Sequence, residues 1–588
     1  MPGIREQQEC ADQTHRSNDT IAEYQIDQSQ DARIFGISVA SHRNGQTLQN
    51  SFNPIILFEI RLKHRTTIEA SLRAAMTRFL GFRGPRLNYA GILGVVMPAI
   101  MSVGYNQGLL GGVLTLPWFE AQFPEIDVSN ADPSERHHKS TLQGSIVALY
   151  AAGGLLGAIA CIALGEVLGR RRTIIIASMV QMIGAFLMAS SFDFAQLIVS
   201  RIILGLGTGG LLATVPMWQS EISPASKRGA HVGTTGIFVA MGLTLALLVD
   251  LGMSYAPNSA SWRVPVSLPI VMCLMVMTFA SRLPESPRWL VRRGQVSAAR
   301  EVLAALRDTE VDNEVVDKEV SDIGCSLAIA GKGSFGQIFR MGHQRIFHRA
   351  SLAATGLVLL QFTGVNCITL YSTTIFESHL HLDSTISRIL AAIYQLAGVF
   401  GGIVCVFTIE RFGRRFLLLS SAMANTIFMA LVAALSSQST NKVAMHAAVV
   451  SMFLFHFSMI IGFGGLPFLY ASEIAPLSLR TTINGISSGV WWALSVLIAE
   501  VTPIAFNAIG WNYFVIFACL NAAMLPIVYL FFPETAGLSL EDIDEVFILS
   551  TGWLDPVRVA KRLPNKANDA KSPGGIIAEK KDHEASQG

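Results

Sequence analysis

Apolar stretches long enough to cross a lipid bilayer recur along this chain, separated by short charged phrases. A membrane helix needs about 20 mainly apolar residues. Twelve stretches meet that length: 90–114, 142–164, 173–191, 194–217, 230–251 and 264–282, then 350–375, 387–409, 416–436, 443–470, 482–506 and 512–532. The segment 283–348 differs. Its run from Ser297 to Arg307, and Val315, Val316, Val320 and Ile323, place apolar residues at helical spacing among charges, the pattern of short amphipathic helices outside lipid. The pattern predicts an all-α membrane protein with twelve transmembrane helices in two six-helix, pseudo-symmetric halves. Its divisions are a tail at 1–84, a six-helix half at 85–282, a linker at 283–348, a second six-helix half at 349–533 and a tail at 534–588.

The charged phrases occur twice, about 250 residues apart and in the same order. Glu166-Val167-Leu168-Gly169-Arg170-Arg171 returns as Glu410-Arg411-Phe412-Gly413-Arg414-Arg415. Pro216, Glu221 and Arg228 return as Pro467, Glu473 and Arg480, and Pro284-Glu285-Ser286 returns as Pro533-Glu534-Thr535. Duplicated units of apolar helices are the architecture of many secondary transporters, whose solute sites lie between the repeats.

Composition narrows the class. Of 588 residues, 51% are hydrophobic and only 15% charged, too few to cover a soluble domain of this size. A net charge of +2 gives no reason to expect a nucleic-acid partner. The seven cysteines lack metal-ligand spacing, and no nucleophile–base set or paired carboxylates share one cavity, so neither a cofactor nor an enzyme is expected. The basic residues cluster. Arg73, Arg78, Arg83 and Arg86 precede the first span, and Arg170–Arg172, Arg228, Arg288, Arg292, Arg293, Arg411, Arg414, Arg415 and Arg480 follow even-numbered spans or sit in the linker. The positive-inside rule then predicts cytoplasmic termini, and residues 54–84 combine apolar and basic positions as an amphipathic helix on the inner leaflet would.

Several phrases resemble the sugar porters of the major facilitator superfamily. They are Gly104-Tyr105-Asn106-Gln107-Gly108, Arg201 with Gly205 and Gly207, Pro284-Glu285-Ser286-Pro287-Arg288, Gln361-Phe362-Thr363-Gly364-Val365-Asn366, and Pro533-Glu534-Thr535. The resemblance spans roughly 85–545, and Gly111-Gly112 with Pro216-Met217-Trp218-Gln219-Ser220-Glu221 looks like its fungal branch. It implies a monomeric transporter in the lipid bilayer, expected at the plasma membrane, that takes a small-molecule substrate. It also implies a cytoplasmic latch of Glu166, Arg170, Arg171, Glu221, Arg228, Glu285, Arg288, Glu410, Arg414, Arg415, Glu473, Arg480 and Glu534, with charges of the two halves meeting when the inner side is shut.

Polar side chains in mid-span need a partner or a wet cavity. Gln361, Thr363, Asn366 and Tyr371 supply donors and acceptors suited to a neutral, hydroxyl-rich solute. Gln361 and Asn366 match positions that hydrogen-bond sugar in the family, and Trp492 matches an aromatic floor. Other family contacts are replaced, by Gly236, Leu360, Gly398, Phe468 and Trp491, so the expected pocket is more apolar and the solute a sugar, disaccharide or glycoside. A less polar metabolite, or a non-transporting receptor on the same fold, are the alternatives. Asn106 stands where proton-coupled relatives carry Asp opposite the arginine of the fourth span, here Arg201. Asparagine does not titrate, so passive transport is expected, with His456 and Glu500 as the other titratable candidates.

Overall fold

The computed structural model describes residues 79–562 except 129–131, 133, 225–227, 331–334, 380–381, 439–440, 477–478 and 539, so the amphipathic helix expected at 54–84 lies mostly outside the described residues. Six long helices form the first half: α1 (Gly84–Val113, with a π-helical turn at Ile92–Val96), α2 (Arg136–Leu168), α3 (Arg170–Ala189), α4 (Phe194–Ile222), α5 (Arg228–Met253) and α6 (Ala260–Ala280). Three short helices, α7 (Pro287–Arg292), α8 (Val296–Arg307) and α9 (Glu314–Ala330), occupy the linker. The second half contains α10 (Ile346–Phe362), α11 (Val365–Leu370), α12 (Ser384–Phe412), α13 (Arg414–Ser436), α14 (Lys442–Phe463), α15 (Leu466–Ile474), α16 (Arg480–Ile509) and α17 (Asn512–Phe531). An amphipathic helix, α18 (Leu540–Leu549), follows, with a short helix at Asp555–Ala560 after it.

Among the described residues, eleven helices are long and apolar enough to span a bilayer. The seventh expected span is the exception, because it is broken rather than continuous. Helix α10 ends at Phe362, and Gly364 takes φ 89°, where a Cβ would sit 2.7 Å from the Phe517 ring, so only glycine suits both the backbone and the space. The chain restarts as α11, giving roughly the twelve spans that the hydropathy pattern predicts.

Outward faces carry large apolar side chains such as Phe186, Val271 and Phe407, a surface made for lipid. Inside each half, small residues set the spacing. A Cβ at Gly205 would lie 2.1 Å from the Tyr150 carbonyl and one at Gly209 2.0 Å from that of Gly154, so α2 and α4 touch backbone to backbone.

The linker is tied to both its ends. Arg83 donates to the Ala304 and Thr309 carbonyls at 3.0 and 2.7 Å, fixing the start of α1 to α8. Arg307 and Arg300 bridge to Glu319 and Asp317, joining α8 to α9. Buried Arg349 at the start of α10 reaches the Ile474 carbonyl and Asp544, docking α18 beneath the second half.

Candidate functional site

The halves meet along a seam where α2 lies against α16, α5 against α12 and α1 against α11. The break after α10 turns Asn366 toward this seam. There Gln107 of α1 donates to Asn366 Oδ1 at 3.0 Å, and Asn366 donates to Gln361 Oε1 at 2.6 Å. Gln361 in turn donates to Ser495 and to the Trp491 carbonyl, the latter at 2.8 Å. Four side chains from α1, α10, α11 and α16 thus form one amide–hydroxyl chain across the two halves. Each amide offers both a donor and an acceptor, so the chain can exchange internal bonds for bonds to a solute's hydroxyls.

The structure places the remaining candidates unequally. Trp492 is buried at the seam, its ring against Gly154, where a Cβ would lie 2.6 Å away, and edge-on to Tyr150 with centroids 6.0 Å apart. Phe468 is half-buried and meets Trp491 edge-on at 6.0 Å. Thr363 spends its hydroxyl on the Leu360 carbonyl and Tyr371 on that of Ala499. Those two shape the broken span rather than face outward from it.

The expected pairing of Asn106 with Arg201 is not made. Both Asn106 amide atoms are buried without a partner among the described residues. Arg201 turns instead to the Ile146 and Val147 carbonyls at 3.3 and 3.5 Å, with its guanidinium 4.9 Å above the Tyr150 ring. The desolvated cation finds carbonyl dipoles and a π-face on α2, which serve it in place of a carboxylate.

The missing side chain at Gly398 has a local explanation. A Cβ there would lie 2.4 Å from His456 Nε2, and the His456 ring packs at a tilt against Tyr394, centroids 4.2 Å apart. Histidine therefore fills the volume that a side chain at 398 would take. Glu500, the other titratable candidate, accepts from Ser145 at 2.7 Å and so joins α16 to α2.

At the other end of the bundle the duplicated phrases form duplicated structures. Gly169 (φ 87°, ψ 169°) and Gly413 (φ 84°, ψ 165°) make the turns into α3 and α13. Glu285 accepts from the backbone N–H groups of Arg170 and Arg171, and Glu534 from those of Arg414 and Arg415, each carboxylate sealing a helix N-terminus. Burial pushes the Glu285 carboxyl above its ordinary range, opposed by the backbone N–H groups of Ser286, Arg171 and Arg170. The arginine side chains then pair sideways. Arg170 forks onto Glu221 at 3.1 and 3.3 Å, and Arg414 bonds Glu473 at 3.0 Å, with Thr535 donating to the same carboxylate at 2.7 Å.

In this structure these ion pairs lie within one half each. Arg171 and Arg415 cap carbonyls of their own halves, Leu283 and Tyr529, and Arg480 reaches the Ala475 carbonyl. The side chains of Glu166, Arg228 and Glu410 lie outside the described residues. Side-chain hydrogen bonds between the halves run from mid-seam toward the end away from the arginine turns: Gln107–Asn366, Ser145–Glu500, and Arg388 donating to the Thr115 carbonyl at 2.7 Å.

Gln107, Ser495, Ser145 and Arg388 were not singled out by sequence. Gln107 had a signal, as a second amide beside Asn106 in an apolar span. Ser495 had a weaker one, one position past a turn from Trp491. Asp250 was absorbed into a span end, and its place becomes visible only when α1 is seen beside it.

Comparison with known proteins supplies an independent frame. The family model described as "Sugar (and other) transporter" matches residues 93–547. The chain is 33% identical over 495 residues to Sugar transporter STL1 of Saccharomyces cerevisiae, covering 83% of this chain and 86% of that protein. It is 30% identical over 479 residues to the low-affinity glucose transporter HXT4 of the same species, covering 77% and 81%. Among solved structures, the proton:xylose symporter XylE bound to 6-bromo-6-deoxy-D-glucose superposes with a TM-score of 0.67 at 21% identity, covering 79% of this chain and 99% of that one. The partially occluded inward-open form of XylE from E. coli gives a TM-score of 0.63 at 18% identity, covering 76% and 100%.

Proposed function

Since the chain belongs to the sugar transporter family and is a multi-pass membrane protein of the major facilitator fold, we propose that it carries a small, neutral, polyhydroxylated solute across a membrane by alternating access, without proton coupling through position 106. The solute class is a sugar, disaccharide or glycoside. The observation that carries this reading is the chain Gln107–Asn366–Gln361–Ser495, a run of neutral donors and acceptors bridging two pseudo-symmetric halves beside the Trp492 ring. A charged solute would find no counter-ion in it. The printed names of two relatives, a sugar transporter and a glucose transporter, point the same way.

The positive-inside rule supports a cytoplasmic side for the arginine turns, the linker 283–348 and both tails, and the membrane proposed is the plasma membrane. In that orientation the halves 85–282 and 349–533 touch on the outer side, an inward-facing state. The Arg170–Glu221 and Arg414–Glu473 clusters are then the two jaws that meet when the inner side shuts. The proposed transport unit is a monomer, a reading supported by both sides of the seam belonging to one polypeptide.

Uptake of radiolabelled hexoses, pentoses, disaccharides and alkyl glycosides into vesicles containing the purified protein tests the reading. At least one neutral member should enter saturably, and Gln361→Leu should weaken its apparent affinity tenfold or more. Charged solutes entering in preference to every neutral one would overturn it.

A further inference from the structure

The end of the seam away from the arginine turns holds a carboxylate outside both the amide chain and the ion-paired turns. Asp250 is in the last turn of α5, 1% exposed, and neither carboxylate oxygen has a hydrogen-bond partner among the described residues. It faces Gly112 of α1, where even a Cβ would come within 2.3 Å of Oδ2. The helices are thus closed around it. Gly112 also lies in the last turn of α1, whose C-terminal carbonyls present the negative end of the helix dipole. An ionised carboxylate in that place, in a membrane interior and without a donor, is costly. A neutral carboxylic acid is not.

A cation of the other half sits at the same turn. Arg388 of α12 caps the end of α1 by donating from Nη2 to the Thr115 carbonyl at 2.7 Å, while its buried Nε has no partner. Asp250 and Arg388 are thus an unpaired acid and an incompletely paired cation on opposite halves, separated by one turn of α1. Other groups frame the pair. Tyr105 of α1 lies within electrostatic range of Asp250 but gives its hydroxyl proton to the Pro265 carbonyl. Glu377, which has one buried oxygen without a partner, and Asp383, the N-cap of α12, stand behind Arg388. On α6, Arg263 is committed to the Ala189 and Ser191 carbonyls, and on α4, Arg201 to those of α2.

We propose that Asp250 is a proton-binding site, alternating between a protonated form sealed against Gly112 and an ionised form paired with Arg388 across the halves. The exchange balances simply. When Arg388 leaves Thr115 for Asp250, the carboxyl O–H bond breaks, one proton passes to water, and the carboxylate keeps the electron pair beside the guanidinium. No electron is transferred to another group. Because the pair spans the seam, the two protonation states belong to two dispositions of the halves. A proton would thus be tied to the transport cycle at the fifth span although position 106 cannot hold one. This rests on the alternating-access reading above, yet proton binding itself can be measured without any solute.

The experiment is infrared difference spectroscopy of the full-length protein in lipid, titrated from pH 5 to pH 9 in H2O and D2O. The parent should show the carbonyl stretch of a buried carboxylic acid, sensitive to deuteration and lost as pH rises. Asp250→Asn should lack that band, whereas Glu500→Gln should keep it. Arg388→Gln removes the cation that receives the ionised form, so its band should persist through the pH range in which the parent loses it, with Arg388→Lys intermediate. A carbonyl band undiminished in Asp250→Asn, or Arg388→Gln titrating identically to the parent, would overturn the proposal; any band from another carboxyl is common to both proteins and cancels in the parent-minus-variant difference. If the solute panel fails to enter vesicles while the Asp250 band behaves as described, the proton site stands and the transport reading falls.

Discussion

Replacing Gly169 or Gly413 by alanine tests the duplicated turn through two separable effects. Both glycines occupy a region of positive φ with ψ near 165–169°, which is essentially closed to residues with a side chain and costs about 1–3 kcal/mol to enter. The added methyl would also collide with a carboxylate, Glu285 Oε2 at 2.8 Å behind Gly169 and Glu534 Oε2 at 2.6 Å behind Gly413. Moving that carboxylate releases two backbone N–H groups at a helix N-terminus, worth about 1 kcal/mol more. Each substitution should therefore destabilise the protein by roughly 2–4 kcal/mol. The turns lie in separate halves, so the effects should add. Chemical denaturation of the purified protein, followed by tryptophan fluorescence, measures this. Glu285→Ala combined with Gly169→Ala supplies the control: it removes the collision but not the backbone strain, so the pair should cost less than the sum. A neutral Gly169→Ala, or a double mutant equal to the sum, would refute the reasoning.

Other outcomes follow from the same contacts. Glu473→Gln with Arg414→Gln should be non-additive by about 1 kcal/mol or more, because one pair is removed twice, while Glu473→Gln with Arg415→Ala should add; a double-mutant cycle on unfolding separates them. Gly398→Asn should be poorly tolerated alone, since its Cβ meets His456 at 2.4 Å, and His456→Ala should rescue it, read as recovery of the unfolding midpoint. Ser495→Ala should leave the Gln361 amide short of an acceptor, costing about 1–3 kcal/mol of stability or the equivalent in solute affinity, whereas Thr363→Val, distant from the amide chain's bonding, should alter affinity less.

The fold was largely legible because lipid imposes a simple rule: apolar runs of fixed length must be helices. The break in the seventh span was not, since Gly364 looks like any other small residue in an apolar run, and only Phe517 and the chain's φ show why glycine is there. Gln361, Asn366 and Trp492 could be picked out because amides and a large indole are conspicuous in mid-membrane sequence. Their partners could not, for the bonds from Gln107 and Ser495 join residues 259 and 134 positions from their acceptors and donors. The charged phrases announced a duplicated device, yet spacing alone does not say whether Glu221 meets an arginine of its own half or of the other. Geometry assigns it to Arg170. Asp250 shows the same limit, as a single acid at a span end whose surroundings come from α1 and α12.

The central claim is that solute passes between two halves that alternately separate, and the contact between Ser145 and Glu500 offers the most direct test. In a protein whose native cysteines have been replaced, Ser145→Cys with Glu500→Cys should form a disulfide that ties α2 to α16 on the side away from the arginine turns. The account predicts that oxidation abolishes uptake of the transported neutral solute and that reduction restores it, with neither single-cysteine protein responding. Undiminished uptake by the fully cross-linked protein would contradict it.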